Sequence, residues 1–275
     1  MLSTNISIIV PCYKQAKYLD ECLQSVFDQI FTDWECIIVN DGSPDDTEFI
    51  AKKWIEKDSR FKYFYKENGG LSSARNFGIE SAVGEWILPL DADDYISDDY
   101  LQLAKSHFKN NNLKVIYCLA RKFGLQTEIL KLEKFSLKQL ALENVIFCTA
   151  FYKKSDWQKA EGYDENLKSG YEDWEFWINI LKESGEVLKL EKVCFFYRIK
   201  EDSMLINLKK INDESTIQYI ENKHRLFFEK NLGSIRNLYR ENEQNKKVLD
   251  AINKRFFSRV VNKLYSIKEN FFNRF

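Results

Sequence analysis

The chain has 275 residues, 44% of them hydrophobic, and a formal net charge of −1, enough for one large domain or a domain with an appendage. That balance argues against a dedicated nucleic-acid binder, which would be clearly basic. No apolar run approaches the ~20 residues needed to span a bilayer, and the six cysteines (12, 22, 36, 118, 148 and 194) show no C-x-x-C spacing, so buried free thiols in a reducing compartment are expected.

Ile6–Val10 reads as a first strand; it is too short for a signal-peptide core and lacks a basic leader, which points to the cytoplasm. Leu19, Cys22, Leu23, Val26 and Phe27 then fall at helical spacing. Cys36–Val39 is a second strand, ending at Asn40-Asp41-Gly42-Ser43-Pro44. Ser43 as N-cap and Pro44 at the first helical position predict a helix bearing Phe49, Ile50, Trp54 and Ile55. Phe61–Tyr65 is a third strand, Ser72–Ala82 a helix, and Trp86–Leu90 a fourth strand. Such alternation predicts a mostly parallel sheet covered by helices, with right-handed crossovers. The turn after the first strand, Pro11-Cys12-Tyr13-Lys14-Gln15, is not a glycine-rich dinucleotide fingerprint, and no phosphate-binding G-x-x-x-x-G-K-[ST] loop is present.

The fourth strand runs into Asp91-Ala92-Asp93-Asp94. Ligands of open α/β sheets bind beyond the carboxyl ends of the strands, and carboxylates packed there repel one another unless a cation offsets the charge. Magnesium or manganese would do so with one or two carboxylates plus substrate phosphates and water. A calcium loop of the EF-hand type is excluded by Tyr95 and Ile96. A solvated turn, or a cap for a helix starting near Ser97 or Asp98, is the plainer alternative.

Past a helix end at 111–112, Lys114–Leu119 and Ile146–Tyr152 read as strands, with few signals in 120–145. After Gly162-Tyr163-Asp164-Glu165, Gly170-Tyr171-Glu172-Asp173 opens a helix whose Trp174, Trp177, Ile178 and Leu181 make a buried face. Val187–Tyr197 follows as one or two strands.

Ile8-Ile9-Val10-Pro11-Cys12-Tyr13, Val39-Asn40-Asp41-Gly42-Ser43 with Asp46-Thr47, Gly69-Gly70-Leu71-Ser72-Ser73-Ala74-Arg75-Asn76 and Asp91-Ala92-Asp93-Asp94 occur in this order. Together they resemble the family 2 glycosyltransferases, inverting enzymes of GT-A fold that use nucleotide sugars. With Glu172-Asp173 and Tyr197-Arg198 the likeness covers roughly residues 5 to 204.

The resemblance implies a role for each motif. Pro11, Tyr13 and Asp41 would hold the nucleoside, Tyr13 offering a ring face and Asp41 accepting an imide N–H of uracil; the plain alternative for Asp41 is an Asp-Gly turn. Gly70 would let backbone pass close to the ligand, and Arg75 would reach the diphosphate or the sugar unless it merely pairs at the surface. Asp93 is implied as the direct ligand of Mn2+ or Mg2+, with Asp91 meeting the metal through water or the ribose, Ala92 between them, and Asp94 supporting them or capping a helix. Asp173 is implied as catalytic base and Glu172 as its acceptor-binding or orienting partner; otherwise both complement a helix dipole, worth ~0.3–1 kcal/mol. Arg198 belongs to the family's Tyr-Arg-x-His segment, but here Lys200 replaces the His, with Asp202 and Ser203 beyond. A protonated ammonium cannot ligate metal, so Lys200 would either contact phosphate directly or mark a different use of the loop.

Beyond residue 205 the likeness ends and helices are expected over 213–230 and 242–275. Leu249, Ile252, Phe256, Val260, Leu264, Ile267 and Phe271 form an apolar stripe. Lys246, Lys247, Lys254, Arg255, Arg259, Lys263, Lys268 and Arg274 surround it, against Asp250 and Glu269. Such a helix can lie in a membrane interface or pack on protein.

The expectation is an α/β chain with a GT-A type sheet domain at 1–204 and a helical extension at 205–275. It would transfer a hexose or N-acetylhexosamine from a UDP-sugar to a glycan or lipid-linked glycan hydroxyl, in surface polysaccharide, lipopolysaccharide or capsule synthesis. Its place would be the cytoplasm or the inner face of the cell membrane, with a homo-oligomer left open. The rivals are an inactive interaction module of the same fold and a sugar nucleotidyltransferase.

Overall fold

The computed structural model describes residues 5–168, 170–201 and 214–272. The chain forms two compact units, Met1–Arg225 and Leu226–Phe275; the expected boundary at 204/205, with Asp202 and Ser203, lies outside the described residues.

The first unit is built on β1 (Ile6–Cys12), β2 (Trp34–Asp41), β3 (Phe61–Lys66) and β4 (Trp86–Pro89), parallel and ordered β3-β2-β1-β4. Every residue of β1 and β2 is buried, as near-continuous apolar strands covered on both faces should be. Helices α1 (Ala16–Phe27), α2 (Thr47–Lys57) and α3 (Leu71–Ser81) make the crossovers. α3 lies close on the sheet because Gly78 has no side chain: a Cβ there would stand 2.6 Å from Ile9 Cγ2 and 3.0 Å from Val39 Cγ2. One turn earlier, Arg75 is thereby held near the carboxyl ends of the strands.

β5 (Tyr95–Ile96), β6 (Leu113–Gly124), β7 (Ile129–Leu130), β8 (Phe151–Lys153) and β9 (Glu186–Ile199) extend the sheet in the order β3-β2-β1-β4-β8-β6-β9-β5, with β7 paired to β6. β6 and β9 run parallel from Leu113↔Glu186 to Gly124↔Ile199 with three register shifts, while β8 joins β4 and β6 antiparallel. The result is the expected mixed α/β architecture, a mostly parallel sheet flanked by helices. The remaining helices of this unit are α4 (Tyr100–Lys105), α5 (Leu137–Leu142), α6 (Lys154–Lys159), α7 (Glu172–Leu181) and α8 (Glu214–Lys223).

Several local expectations shift. α2 starts at Thr47 rather than Pro44, because Ser43 is used across strands: its hydroxyl accepts from Lys14 N and donates to Cys12 O, each at 3.1 Å. α4 stops at Lys105, short of the expected 111–112. β8 runs 151–153 where 146–152 is expected, since Ile146 O and Thr149 O accept from Trp177 Nε1 and Tyr100 Oη instead of a strand partner. The stretch 120–145 holds the end of β6, β7 and α5, and 186–199 is one strand. Trp174, Trp177, Ile178 and Leu181 are buried as read, and all six cysteines are free.

α8 closes the first unit over α7. Lys223 Nζ and His224 Nε2 meet the fully buried Glu175 at 2.9 and 2.5 Å. Lys223 and Tyr219 also bond Asp164 at 2.6 and 2.8 Å.

The second unit contains the body of α9 (Arg225–Leu232) and the long α10 (Ile235–Phe272). Leu249 and Ile252 of the expected stripe are exposed; its side chains from Phe256 onward lie outside the described residues. Among the described residues no helix is long and apolar enough to cross a membrane.

Candidate active site

The carboxyl ends of β1, β2 and β4 supply most of the residues singled out from sequence, where the open-sheet rule puts a ligand. β1 ends in Pro11 and Cys12 and leads to Tyr13, an exposed ring with Lys14 Nζ 5.0 Å from its centroid.

At the end of β2, Asp41 is 3% exposed and pairs in register with Lys66 of β3. Oδ1 accepts from Lys66 Nζ at 2.7 Å and Gly69 N at 2.9 Å; Oδ2 accepts from Asn68 Nδ2 at 3.1 Å and Gly70 N at 2.9 Å. A carboxylate offers about four lone-pair sites, so internal donors fill Asp41. Its geometry is that of an anchor for the Gly69–Gly70 turn. Gly70 has φ +91°, a backbone that side-chain-bearing residues rarely adopt, and it leads directly into α3.

The acids after β4 each have a cationic or N–H partner. Asp91 Oδ1 accepts from Arg75 Nη2 at 2.7 Å, and Asp93 Oδ2 meets Lys200 Nζ at 2.6 Å. The buried Asp94 accepts from Arg198 N at 2.8 Å, and Arg198 Nε donates to Asp93 O at 2.7 Å. Burial above all, then the charges of Asp93 and Asp91, hold the Asp94 carboxyl well above the usual carboxylate range. Ala92 is buried between the acids.

Arg75 reaches the second acidic pair as well. Its Nη1 donates to Glu172 Oε1 at 2.7 Å, and the guanidinium carbon lies 5.5 Å from the Tyr163 ring centroid. Arg75 is 0% exposed, so its fork is committed to two acids rather than free to reach a diphosphate; sequence alone did not distinguish these uses. Glu172 and Asp173 open α7 behind Tyr171, which takes φ +65°. Asp173 is half-buried and accepts from Trp174 N at 2.7 Å and Asn144 Nδ2 at 3.0 Å. Burial first, then the neighbouring Glu172 charge, push its carboxyl up to about 7, against the opposing pull of Arg75 and the two hydrogen bonds.

The two acidic clusters therefore share one neighbourhood. The half-buried Tyr197 hydroxyl is raised by burial and then by Asp94, Asp91, Asp93 and Asp173 together, and the Cys148 thiol is raised by burial first, with Arg75 opposing and Asp91, Asp173 and Glu172 adding to it. Asn144, Cys148 and Lys66 were missed from sequence. Lys66 was findable as the residue level with Asp41 on the adjacent strand, whereas Asn144 and Cys148 sit in a stretch with no local signal. Tyr13 and Asp41 hold the other end of the strand-end row, after β1 and β2.

A divalent metal fits the donor chemistry in one form only. The Asp91 and Asp93 side chains keep 31% and 20% exposure, and two carboxylate oxygens with a diphosphate and water make an ordinary Mg2+ or Mn2+ shell. Among the described residues no group of three or more His, Cys, Asp or Glu is gathered for a metal. The phosphates would have to complete the shell.

Residues 7–164 match the model of glycosyl transferase family 2. The minor teichoic acid biosynthesis protein GgaB of Bacillus subtilis is 31% identical over 216 residues, covering 72% of this chain and 23% of GgaB. The chain spans between about a fifth and a third of the length of the first curated relatives it matches. Among solved structures, S. aureus TarS 1–349 in complex with UDP-GlcNAc superposes with TM-score 0.64 at 22% identity, over 82% of this chain and 73% of that one. The mannosyltransferase PcManGT of Pyrobaculum calidifontis, in complex with GDP-Man and Mn2+, does so with TM-score 0.60 at 14% identity, over 89% and 80%. At these identities the structural likeness establishes the fold.

Proposed function

The chain belongs to glycosyl transferase family 2, and from that premise we propose that it is an inverting glycosyltransferase. It moves a hexose or N-acetylhexosamine from a uridine diphosphate sugar to a glycan hydroxyl during assembly of a surface polysaccharide. The observation that carries this reading is the Arg75 bridge, which joins the acid after β4 to the acid pair opening α7, with Asp173 poised near neutrality beside it. The teichoic acid role in the name of GgaB and the UDP-GlcNAc bound by TarS support the polymer class and the uridine nucleotide.

In this mechanism Asp173 takes the proton of the acceptor hydroxyl as that oxygen attacks the anomeric carbon. The bond from that carbon to the diphosphate oxygen breaks with its electron pair, the nucleoside diphosphate leaves from the opposite face, and configuration inverts. Glu172 and Arg75 are positioning residues: the fork keeps Glu172 and Asp91 at fixed separation and tempers the charge beside Asp173. Tyr13 stacks on the base, and Pro11, Asp41 and Gly70 shape the turns that hold the nucleoside. Asp93, helped by Asp91, would hold Mn2+ or Mg2+, which when bound neutralises charge on the departing diphosphate. Arg198 fixes the turn through Asp93 O and Asp94. The acceptor is a glycan or lipid-linked glycan, and the basic α10 keeps the enzyme at an anionic membrane face.

A panel of UDP-, GDP-, CDP- and dTDP-sugars tested by thermal shift, followed by release of nucleoside diphosphate with and without Mn2+, tests the reading. UDP-sugars should raise the melting temperature by mass action and yield UDP. Stabilisation without release would favour an inactive binding module; release of pyrophosphate from a nucleoside triphosphate and a sugar phosphate would favour a nucleotidyltransferase.

A further inference from the structure

The acids after β4 are met by three cations from two parts of the chain, Arg75 of α3 and Arg198 and Lys200 at the end of β9 and just beyond it, and these differ in chemistry. Arg75 is fixed, buried and divided between Asp91 and Glu172. Arg198 is fixed as well: it bonds Asp93 O, pairs with Glu21, and its guanidinium lies 4.5 and 4.2 Å from the Tyr18 and Phe123 ring centroids. Lys200 differs from both arginines in its head group. Its ammonium carries three rotatable donors on a four-carbon stem, its side chain keeps 16% exposure, and it meets Asp93 Oδ2 at 2.6 Å. It also donates to Gln15 Oε1 at 3.2 Å and lies 5.1 Å from the Tyr18 ring centroid.

Those partners locate the ammonium. Gln15 ends the turn that carries Pro11 and Tyr13, and Asp93 stands after β4. Lys200 therefore spans from the nucleoside turn to the D-x-D acid, the interval that a diphosphate must bridge between a nucleoside and its sugar. Phosphate oxygens are strong acceptors for an ammonium, and a carboxylate and a diphosphate would compete for it. A protonated Lys donates hydrogen bonds but cannot ligate a metal, and its charge repels one.

Resting on the nucleotide-sugar reading above, we propose that Lys200 is the resident cation of the diphosphate subsite. It neutralises Asp93 in the nucleotide-free protein and turns its ammonium to the diphosphate oxygens when the nucleotide arrives. Nucleotide binding then needs no divalent metal, and metal uptake by the nucleotide-free protein is opposed by Lys200. A metal enters, if at all, on Asp93 after the lysine has left it.

The test is calorimetric titration of UDP into the full chain, in EDTA and in Mn2+, for wild type, K200M and K200H, with MnCl2 alone as a separate titrant. Wild type should bind UDP in EDTA within about tenfold of its affinity in Mn2+, and K200M should lose about tenfold or more in EDTA, the worth of one charge-assisted hydrogen bond. K200H should take up Mn2+ without nucleotide where wild type does not. Thermal melts identify any variant that misfolds, and K200Q then replaces K200M in the same comparison. Loss of wild-type UDP binding in EDTA, or K200M binding UDP there as tightly as wild type, overturns the proposal while leaving the glycosyltransferase reading intact. Failure of wild type to bind UDP, GDP, CDP or dTDP under either condition overturns both.

Discussion

Arg75 and Glu172, 97 residues apart in sequence, meet at 2.7 Å inside the first unit, and the same guanidinium holds Asp91 at 2.7 Å. One planar fork thus sets the separation between the acid that follows β4 and the acid pair that opens α7. Gly78 makes this possible by letting α3 approach Ile9 and Val39 closely, and the Gly69–Gly70 turn anchored on Asp41 sets where α3 begins.

Replacing Arg75 by Met leaves Glu172, 6% exposed, without its counter-charge. Removing one partner of a buried pair costs about 3–5 kcal/mol, so R75M should unfold at markedly lower urea concentration. R75K should recover only part of the loss, since an ammonium does not present the rigid planar fork that reaches Asp91 and Glu172 together. Equal urea midpoints for R75K and wild type would show that charge alone suffices.

Asp41→Asn separates two roles. As an anchor, Asp41 accepts from four internal donors, and the amide loses the Lys66 ion pair and one acceptor oxygen. Stability should fall by about 1–3 kcal/mol, with affinity falling alike for UDP and CDP. A selective loss of UDP, with CDP unaffected and the fold as stable as before, would instead assign the carboxylate to the uracil imide.

The central elements were legible because β1, β2 and β4 are near-continuous apolar runs and the turns after them carry polar residues with few other uses. The Trp174, Trp177, Ile178 and Leu181 stripe likewise marks α7 in the sequence. What escaped depends on long-range pairing. Ser43 looked like an N-cap but serves Lys14 and Cys12. The 146–150 stretch has strand composition, yet its carbonyls go to Trp177 and Tyr100. Asn144, the side-chain partner of Asp173, lies in a segment with no periodicity, so only the folded chain reveals it. The resemblance named Asp173 and Asp93; the Arg75 brace and the filled Asp41 carboxylate came from geometry.

The tail makes its own prediction. Lys246, Lys247, Lys254, Arg255 and the basic residues beyond them outnumber Asp250 and Glu269, and Leu249 and Ile252 are exposed on α10. A basic amphipathic helix binds anionic lipid by charge and apolar burial together. The full chain should float with vesicles containing phosphatidylglycerol and lose that association at high salt, whereas a version ending near residue 240 should stay at the bottom of the gradient. Equal flotation of both would remove α10 from any membrane role.

Asp173 carries the sharpest pH signature. Burial and the Glu172 charge raise its carboxyl from 3.8 to about 7, and a base must be unprotonated to accept the acceptor proton. Transfer, measured as kcat/KM, should therefore rise about tenfold per pH unit below that value and level off above it. D173N should abolish transfer while UDP binding persists. Asn144 stabilises the charged form through its hydrogen bond, so N144A should move the rising limb to higher pH. The same shift fixes a stability trend. The folded carboxyl keeps its proton to about 7 and the unfolded one releases it near 3.8, so the stability this proton lends is complete below the lower value and is lost as pH rises through the upper one. Urea unfolding of D173N, whose amide does not titrate, should consequently gain on wild type as pH is raised from about 4 to about 8. A stability gap that stays constant across that range would mean that Asp173 titrates as an ordinary surface carboxylate and is not poised as the base.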